Sequence, residues 1–260
     1  MDEVTYERRG AAAWVRINRP DDLNALNQAV VAGLSGALAR ASRDDEVRAV
    51  VLTGNGRAFC AGGDLKALRE LAESDPRGSQ GFLIDVGETL DAIEAFPKPV
   101  VAAVNGLALA GGLEIVLCCD IVVASERAKL GDAHANYGLI PGGGASARLP
   151  RKVGPSLASY LLFTGVLLPA GAFLPSGFVT KVVPDEDLTE AVDEIVGQLA
   201  SKSPLSLARM KQLVHDGLDQ PLAAAVRTEL IASEAHGKSH DMAEGLAAFS
   251  EKRKPHFIGR

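Results

Sequence analysis

Three glycine-rich segments are the parts of this sequence best suited to bind a ligand through the backbone. They are FCAGGDL (59–65), NGLALAGGLE (105–114) and GLIPGGGAS (138–146). Glycine allows close approach of the backbone to a ligand, and a segment that enters a helix exposes N–H groups without intrahelical partners. Two such groups directed at one point form an oxyanion hole. Taken alone, each segment is better explained as a tight turn.

Glu114 stands at the start of the apolar stretch GLEIVLCC. A carboxylate is rarely found in such a run for stability, because burial of a charge is unfavourable. Burial would raise the pKa of Glu114, whereas a helix N-terminus would lower it. Glu114 is therefore a candidate for proton transfer, and a structural salt bridge is the alternative.

Other common catalytic sites are not supported by the motifs. The glycine fingerprint at 142–147 follows Leu-Ile-Pro instead of a strand, so no nicotinamide cofactor is predicted. His236 and His240 have helical spacing without a following Glu, and we expect them on a solvated helix face. The three cysteines form no CxxC pair, so we predict buried, reduced thiols and no metal site.

Charge and hydropathy exclude further classes of protein. A formal net charge of -6 argues against a general nucleic-acid binder, but a few local cations would suffice for an anionic ligand. The chain has no 18-residue apolar run, which argues against a transmembrane helix. The acidic N-terminal stretch lacks a signal-type apolar core, so we expect a soluble, cytoplasmic protein with no membrane partner.

The elements that must position these residues alternate between strand and helix. Short apolar runs predict strands at 3–8, 11–18, 49–56, 100–106 and 121–125. Helical spacing predicts helices at 27–42, from Leu65, from residue 77 to about 96, and from Asp187 onward. This alternation is typical of a mixed α/β fold followed by a helical region.

Six segments in order resemble the successive signatures of the crotonase (enoyl-CoA hydratase/isomerase) family. They are RPDDLNALN (19–27), GRAFCAGGDL (56–65), KPVVAAVNGLALAGGLEIVLCCDIVVAS (98–125), GLIPGGGASARLPRKVG (138–154), TGVLLPAGAFLPSGFVTKVVP (164–184) and EGLAAFSEKRKPHF (244–257). The resemblance implies a spiral of ββα units over residues 1–190, carrying the coenzyme A site and the oxyanion hole. It also implies a helical trimerisation region over 191–260, with homotrimers or hexamers made of two trimers.

The resemblance also assigns roles to individual residues. The N–H groups of Gly63 and Gly111 match the oxyanion hole of the family, and Glu114 matches one of its two catalytic carboxylates. Positions that match the coenzyme A site are Ala25, Leu26, Ala61, Asp64, Leu65, Phe249 and Lys252. The last two commonly reach coenzyme A from a neighbouring subunit, although a surface lysine is an equal alternative for Lys252. No cofactor is implied, since coenzyme A is part of the substrate.

Two places depart from the family pattern. The second catalytic glutamate should stand four residues before Gly138, where this chain has His134. A neutral histidine can accept or donate a proton, and Asp132 would face the same side of an extended segment and orient the imidazole. A loop histidine bonded to backbone is the alternative. The second departure is VLLPAGAFLPSG at 166–177, where Pro169 and Pro175 should break or shorten a helix.

The resemblance favours an acyl-CoA-binding enzyme that stabilises a thioester enolate and adds water to a 2-enoyl-CoA. Hydration needs one group to activate water and another to manage the proton at C2, and Glu114 and His134 are the candidates. The alternatives are an isomerase or an acyl-CoA hydrolase of the same fold that uses Glu114 and His134. A non-catalytic acyl-CoA-binding paralogue is the third hypothesis.

Overall fold

Two β-sheets and ten α-helices are described by the computed structural model, which covers residues 2–75 and 77–260. The strands are β1 (Val4–Arg9), β2 (Ala12–Ile17), β3 (Ala49–Gly54), β4 (Ala58–Cys60), β5 (Val100–Val104), β6 (Leu107–Leu109), β7 (Ile121–Ser125), β8 (Lys129–Gly131), β9 (Leu168–Pro169) and β10 (Lys181–Val183). The helices are α1 (Gln28–Ser42), α2 (Leu65–Ser74), α3 (Gly78–Glu94), α4 (Gly111–Leu117), α5 (Ala145–Val153), α6 (Pro155–Thr164), α7 (Leu188–Ala200), α8 (Pro204–Gly217), α9 (Leu222–His236) and α10 (His240–Glu251).

The larger sheet has six strands in the order β1-β2-β3-β5-β7-β10. β1 and β2 form an antiparallel hairpin, and every later neighbour in this sheet is parallel. Its central strands are mostly apolar, AVVLTG in β3 and VVAAV in β5, and are buried at every position. Such runs are typical of parallel strands covered on both faces.

The smaller sheet has four short strands in the order β4-β6-β8-β9. The chain passes from the large sheet to the small one three times, from β3 to β4, β5 to β6 and β7 to β8, before it continues into a helix or turn. This repetition is the spiral of ββα units, and the mixed α/β fold class is confirmed. The four short strands were not predicted, because runs of two or three residues carry no readable periodicity.

The C-terminal helices divide between the sheet and the surface. Val192 and Val196 of α7 are buried against the outer face of the large sheet with Trp14 and Val123, so the boundary proposed at 190/191 falls inside α7. The expectation of helix from Asp187 onward is wrong for the end of the chain, since α10 ends at Glu251. Within the described ranges, no helix is long and apolar enough to cross a bilayer.

Three smaller expectations have different outcomes. His236 ends α9 and His240 begins α10, so the predicted single helix face is wrong: the chain leaves the helix at Gly237. His236 instead contacts Ser206 and Arg209. All three cysteines are free and buried, as predicted. The proline-containing segment forms the short β9 and a 3-10 helix over Ala170–Ser176 in place of an α-helix.

A substitution at Gly112 tests whether α4 must lie close to β4. A Cβ added at Gly112 would overlap the carbonyl oxygen of Cys60, whereas one at Gly36 in α1 meets no described atom within 4 Å. We expect Gly112→Ala to lower the free energy of unfolding by about 1–3 kcal/mol through overpacking. Gly36→Ala, the matched control, should be neutral or stabilise by up to about 1 kcal/mol. Urea unfolding of both variants measures the difference, and equal stabilities would contradict the close approach.

Candidate active site

The first two glycine-rich segments meet beside the loop that precedes α1. Leu26 forms a parallel bridge with Gly63: its N–H donates to the Gly62 carbonyl at 2.7 Å, and its carbonyl accepts from Asp64 N–H at 2.8 Å. A Cβ added at Gly111 would lie 2.9 Å from Leu26 Cδ1 and 3.6 Å from Gly62 Cα. Glycine at 111 therefore lets the start of α4 approach the Gly62–Gly63 segment.

The N–H groups of Gly63 and Gly111 have no acceptor within the part of the chain that the structure describes. Gly111 is the first residue of α4, and the residue before it, Ala110, has a φ of 46° that turns the chain into the helix. Both glycines line one cavity. Two unpaired amide donors on one cavity match the requirement for an oxyanion hole.

This cavity has a volume of about 490 Å³ and a largely apolar wall. The wall includes Leu26, Leu68, Phe82, Leu83, Val86, Leu109, Leu139, Ile140 and Leu167. A second cavity of about 560 Å³ adjoins it and shares Leu26, Leu68 and Phe82. The two cavities together offer space for a thioester with an apolar acyl chain and a long polar tail.

Glu114 is buried at the wall of this cavity with 2% of its surface exposed. Its Oε1 accepts hydrogen bonds from the N–H groups of Gly143 at 2.8 Å and Ala145 at 3.0 Å. No lysine or arginine in the described ranges forms an ion pair with it. The third glycine-rich segment thus holds the carboxylate by backbone donors at the start of α5, in place of the salt bridge considered as an alternative.

His134 lines the same cavity, and Asp132 orients its ring. Nδ1 of His134 lies 2.9 Å from Asp132 Oδ2, and the His134 N–H donates to Asp132 Oδ1 at 3.3 Å. Asp132 is fully buried. Because Nδ1 is occupied, Nε2 is the nitrogen that remains for a ligand.

The electrostatics of the two proton-transfer candidates are linked. Burial raises the pKa of Glu114, against the opposing effects of the Ala145 N–H, the His134 charge and the Gly143 N–H. Burial by itself lowers the pKa of His134, but the hydrogen bond and charge of Asp132 and the charge of Glu114 outweigh it, so this pKa is raised above 6.5. Each of the two groups therefore favours the charged form of the other, and burial acts against both charges.

The residues matched to the coenzyme A site fall into three groups. Leu26, Ala61 and Leu65 line the cavity. The Ala25 carbonyl accepts from Arg19, and Asp64 caps α2 and pairs with Arg19 at 2.9 Å, so these two maintain the loop. Phe249 and Lys252 are exposed near the C-terminus and do not line the described wall of the cavity in a single chain. Their contact with coenzyme A stays a prediction.

Several contributors to the site were missed by the sequence analysis. Gly143 and Ala145 supply the donors to Glu114 from 29 and 31 residues away, and Arg148 holds the Gly143 carbonyl at 2.8 Å. The triple glycine at 142–144 was the one available signal for them. Phe82 on the cavity wall had no signal beyond its place in an amphipathic helix.

This chain is similar to known proteins over its whole length. A sequence model of the enoyl-CoA hydratase/isomerase family matches residues 7–260. A crotonyl-CoA hydratase of Syntrophomonas wolfei is 35% identical over 262 residues, 100% of this chain and 99% of that protein. A 2,3-dehydroadipyl-CoA hydratase of Escherichia coli is 37% identical over 261 residues and 100% of both. The crystal structure of an enoyl-CoA hydratase from Bacillus anthracis superposes with a TM-score of 0.94 at 33% identity, covering 99% of this chain and 100% of that one.

The dependence of His134 on Asp132 can be measured by titration. Asp132→Asn removes the charge that raises the pKa of His134 and leaves the burial that lowers it, so this pKa should fall below that of the wild type. NMR of the imidazole Cε1–H resonances across pH measures the change. Asp219→Asn is the control, because the Asp219 carboxylate pairs with Arg151. This variant should leave the pKa of His134 unchanged. An unshifted His134 in Asp132→Asn would contradict the assignment.

Proposed function

The chain belongs to the enoyl-CoA hydratase/isomerase family, and we propose that it adds water across the C2–C3 double bond of a 2-enoyl-CoA. One observation carries the proposal. Two candidate proton-transfer groups, Glu114 and His134, line the same cavity as the unpaired N–H groups of Gly63 and Gly111. Such a cavity has the parts that hydration of a thioester-conjugated alkene requires.

The thioester oxygen accepts hydrogen bonds from Gly63 and Gly111 in the proposed mechanism. Attack of water on C3 moves electron density through C2 to that oxygen, and the two donors stabilise the enolate charge. Removal of one such donor typically costs about 3 kcal/mol in barrier height. The adjoining cavity beside Leu68 and Phe82 takes part of the remaining coenzyme A thioester.

Glu114 and His134 divide the proton transfers. Glu114 carboxylate takes a proton from the attacking water as the O–C3 bond forms, and His134 imidazolium delivers the Nε2 proton to C2 as the enolate collapses. The raised pKa of His134 favours the imidazolium that donates the proton. Burial raises the pKa of Glu114, which makes its carboxylate a stronger base towards water. A proton passed from Glu114 back to His134 restores both groups. The step uses no metal and no cofactor other than the coenzyme A of the substrate.

Hydration of crotonyl-CoA and longer 2-enoyl-CoAs tests the reaction. Mass spectrometry of the products distinguishes the alternatives: hydration adds one water, isomerisation leaves the mass unchanged, and thioester hydrolysis releases free coenzyme A. Binding of coenzyme A thioesters without turnover at any chain length would exclude the proposed activity and support a non-catalytic binding protein.

Substitution of the proton-transfer groups tests their roles. Glu114→Gln should lower kcat by about 10²–10⁴-fold with little change in KM, because the amide cannot accept the proton from water. His134→Gln should have a loss of similar size. His134→Glu, which restores a carboxylic acid at this position, should retain more activity than His134→Gln. Equal activity of Glu114→Gln and the wild type would contradict general base catalysis by Glu114.

A trimer or hexamer is the proposed assembly. The C-terminal segment over 204–251 exposes apolar side chains that include Val214, Leu218, Leu222, Leu230 and Phe249. Large exposed apolar side chains in this number favour an association surface when they are contiguous. Light scattering coupled to size-exclusion chromatography measures the mass, and a monomer would contradict the proposal. A cytoplasmic location is proposed with it and is tested by cell fractionation.

A further inference from the structure

The segment that holds Glu114 has little conformational restraint of its own. Gly142, Gly143 and Gly144 are consecutive, and Gly144 has a φ of 95°. Glycine adopts many backbone conformations, so three in a row are held in one orientation only by contacts from outside. The N–H groups that bond Glu114 Oε1 belong to the peptides on either side of the Gly143–Gly144 peptide.

Arg148 provides that contact. Its Nη1 donates to the Gly143 carbonyl at 2.8 Å, and its own backbone N–H donates to the Gly144 carbonyl at 2.9 Å. The rest of the guanidinium is fixed by two carboxylates of α3: Nε lies 2.8 Å from Glu94 Oε2 and Nη2 lies 2.7 Å from Asp91 Oδ1. Planar arginine suits this three-way contact, whereas lysine has a single point charge.

We propose that Arg148 is a positioning residue for Glu114: it fixes the Gly143–Gly144 peptide so that the flanking N–H groups stay on Glu114 Oε1. This inference rests on the proposed function, since Glu114 then presents Oε2, which has no donor among the described residues, to the attacking water. Arg148 is not among the described residues that line the cavity. In the proposed mechanism it therefore acts through Glu114 and does not contact the substrate.

The same contact links the catalytic carboxylate to the wall of the cavity. Asp91 and Glu94 lie on α3, and Phe82, Leu83 and Val86 of that helix line the cavity. Arg148 therefore connects the helix that lines the cavity to the loop that holds Glu114. Displacement of either element would change the donors to the carboxylate.

Loss of the positioning contact should be visible in the pH dependence of kcat. Without the two N–H donors the ionised form of Glu114 is less stabilised, so its pKa rises and the acid limb of the profile moves to higher pH. The described charged and titratable groups around this carboxylate are Asp132, His134, Cys118 directly after α4, Arg148 of α5, and Asp91 and Glu94 of α3 behind Arg148. Only Arg148 is changed in the experiment.

The experiment compares Arg148→Met, Arg148→Lys and Arg151→Met on crotonyl-CoA. Both Arg148 variants should lose roughly ten- to hundred-fold in kcat with KM nearly unchanged, and their acid limbs should move to higher pH. Arg148→Lys keeps the positive charge, so a shift in this variant isolates the loss of geometry from the loss of charge. Arg151→Met, from an exposed pair on the same helix, should behave as wild type.

Hydrogen–deuterium exchange of the peptide over 142–146 supplies a readout that does not depend on turnover. Faster exchange in both Arg148 variants, with wild-type exchange in Arg151→Met, supports the proposal. Wild-type exchange or an unmoved acid limb in folded Arg148→Lys would overturn it. Failure of the wild type to hydrate any enoyl-CoA counts against the proposed function, and the exchange result then decides the role of Arg148 by itself.

Discussion

The bond between the Glu114 carboxylate and two backbone N–H groups is the interaction on which the arrangement of this site depends. A carboxylate inside an apolar helix is unfavourable unless donors replace the water it has lost. Gly143 and Ala145 supply those donors at the start of α5, where N–H groups have no intrahelical partner. The same bonds stabilise the charge and fix Oε1, while Oε2 has no donor among the described residues. In the proposed mechanism, stability and function therefore depend on the same contact.

The spiral architecture explains how groups distant in sequence reach one cavity. Each unit places a strand in the large sheet and then a short strand in the small one, and the segments that follow β4, β6 and β8 carry Gly63, Gly111 and His134. Parallel neighbours in the small sheet put these three exits at the same edge. The candidate oxyanion donors and the candidate proton-transfer groups thus come from successive turns of the spiral.

His134 changes the electrostatics of a site in which the family resemblance implies two carboxylates. Two neighbouring carboxylates repel and force one to hold a proton, whereas a carboxylate and an imidazolium attract. Buried Asp132 strengthens this difference, because its charge favours protonated His134 and its bond to Nδ1 leaves Nε2 for the substrate. In the proposed mechanism the site therefore keeps one acid and one base by opposite charge instead of by a shared proton.

The resemblance of six sequence segments to the family indicated which residues are candidates for the chemistry, and packing decided how they are held. Gly63 and Gly111 were identified by their place in segments that match the family, and Glu114 was identified both by that match and as a charge in an apolar run. The main strands and most helices were predicted from the apolar periodicity within each segment. The donors from Gly143 and Ala145, the Arg148 contact with α3 and the small sheet were not predictable. Each joins segments tens of residues apart, and such contacts depend on the tertiary arrangement of several elements and not on the pattern within any one of them.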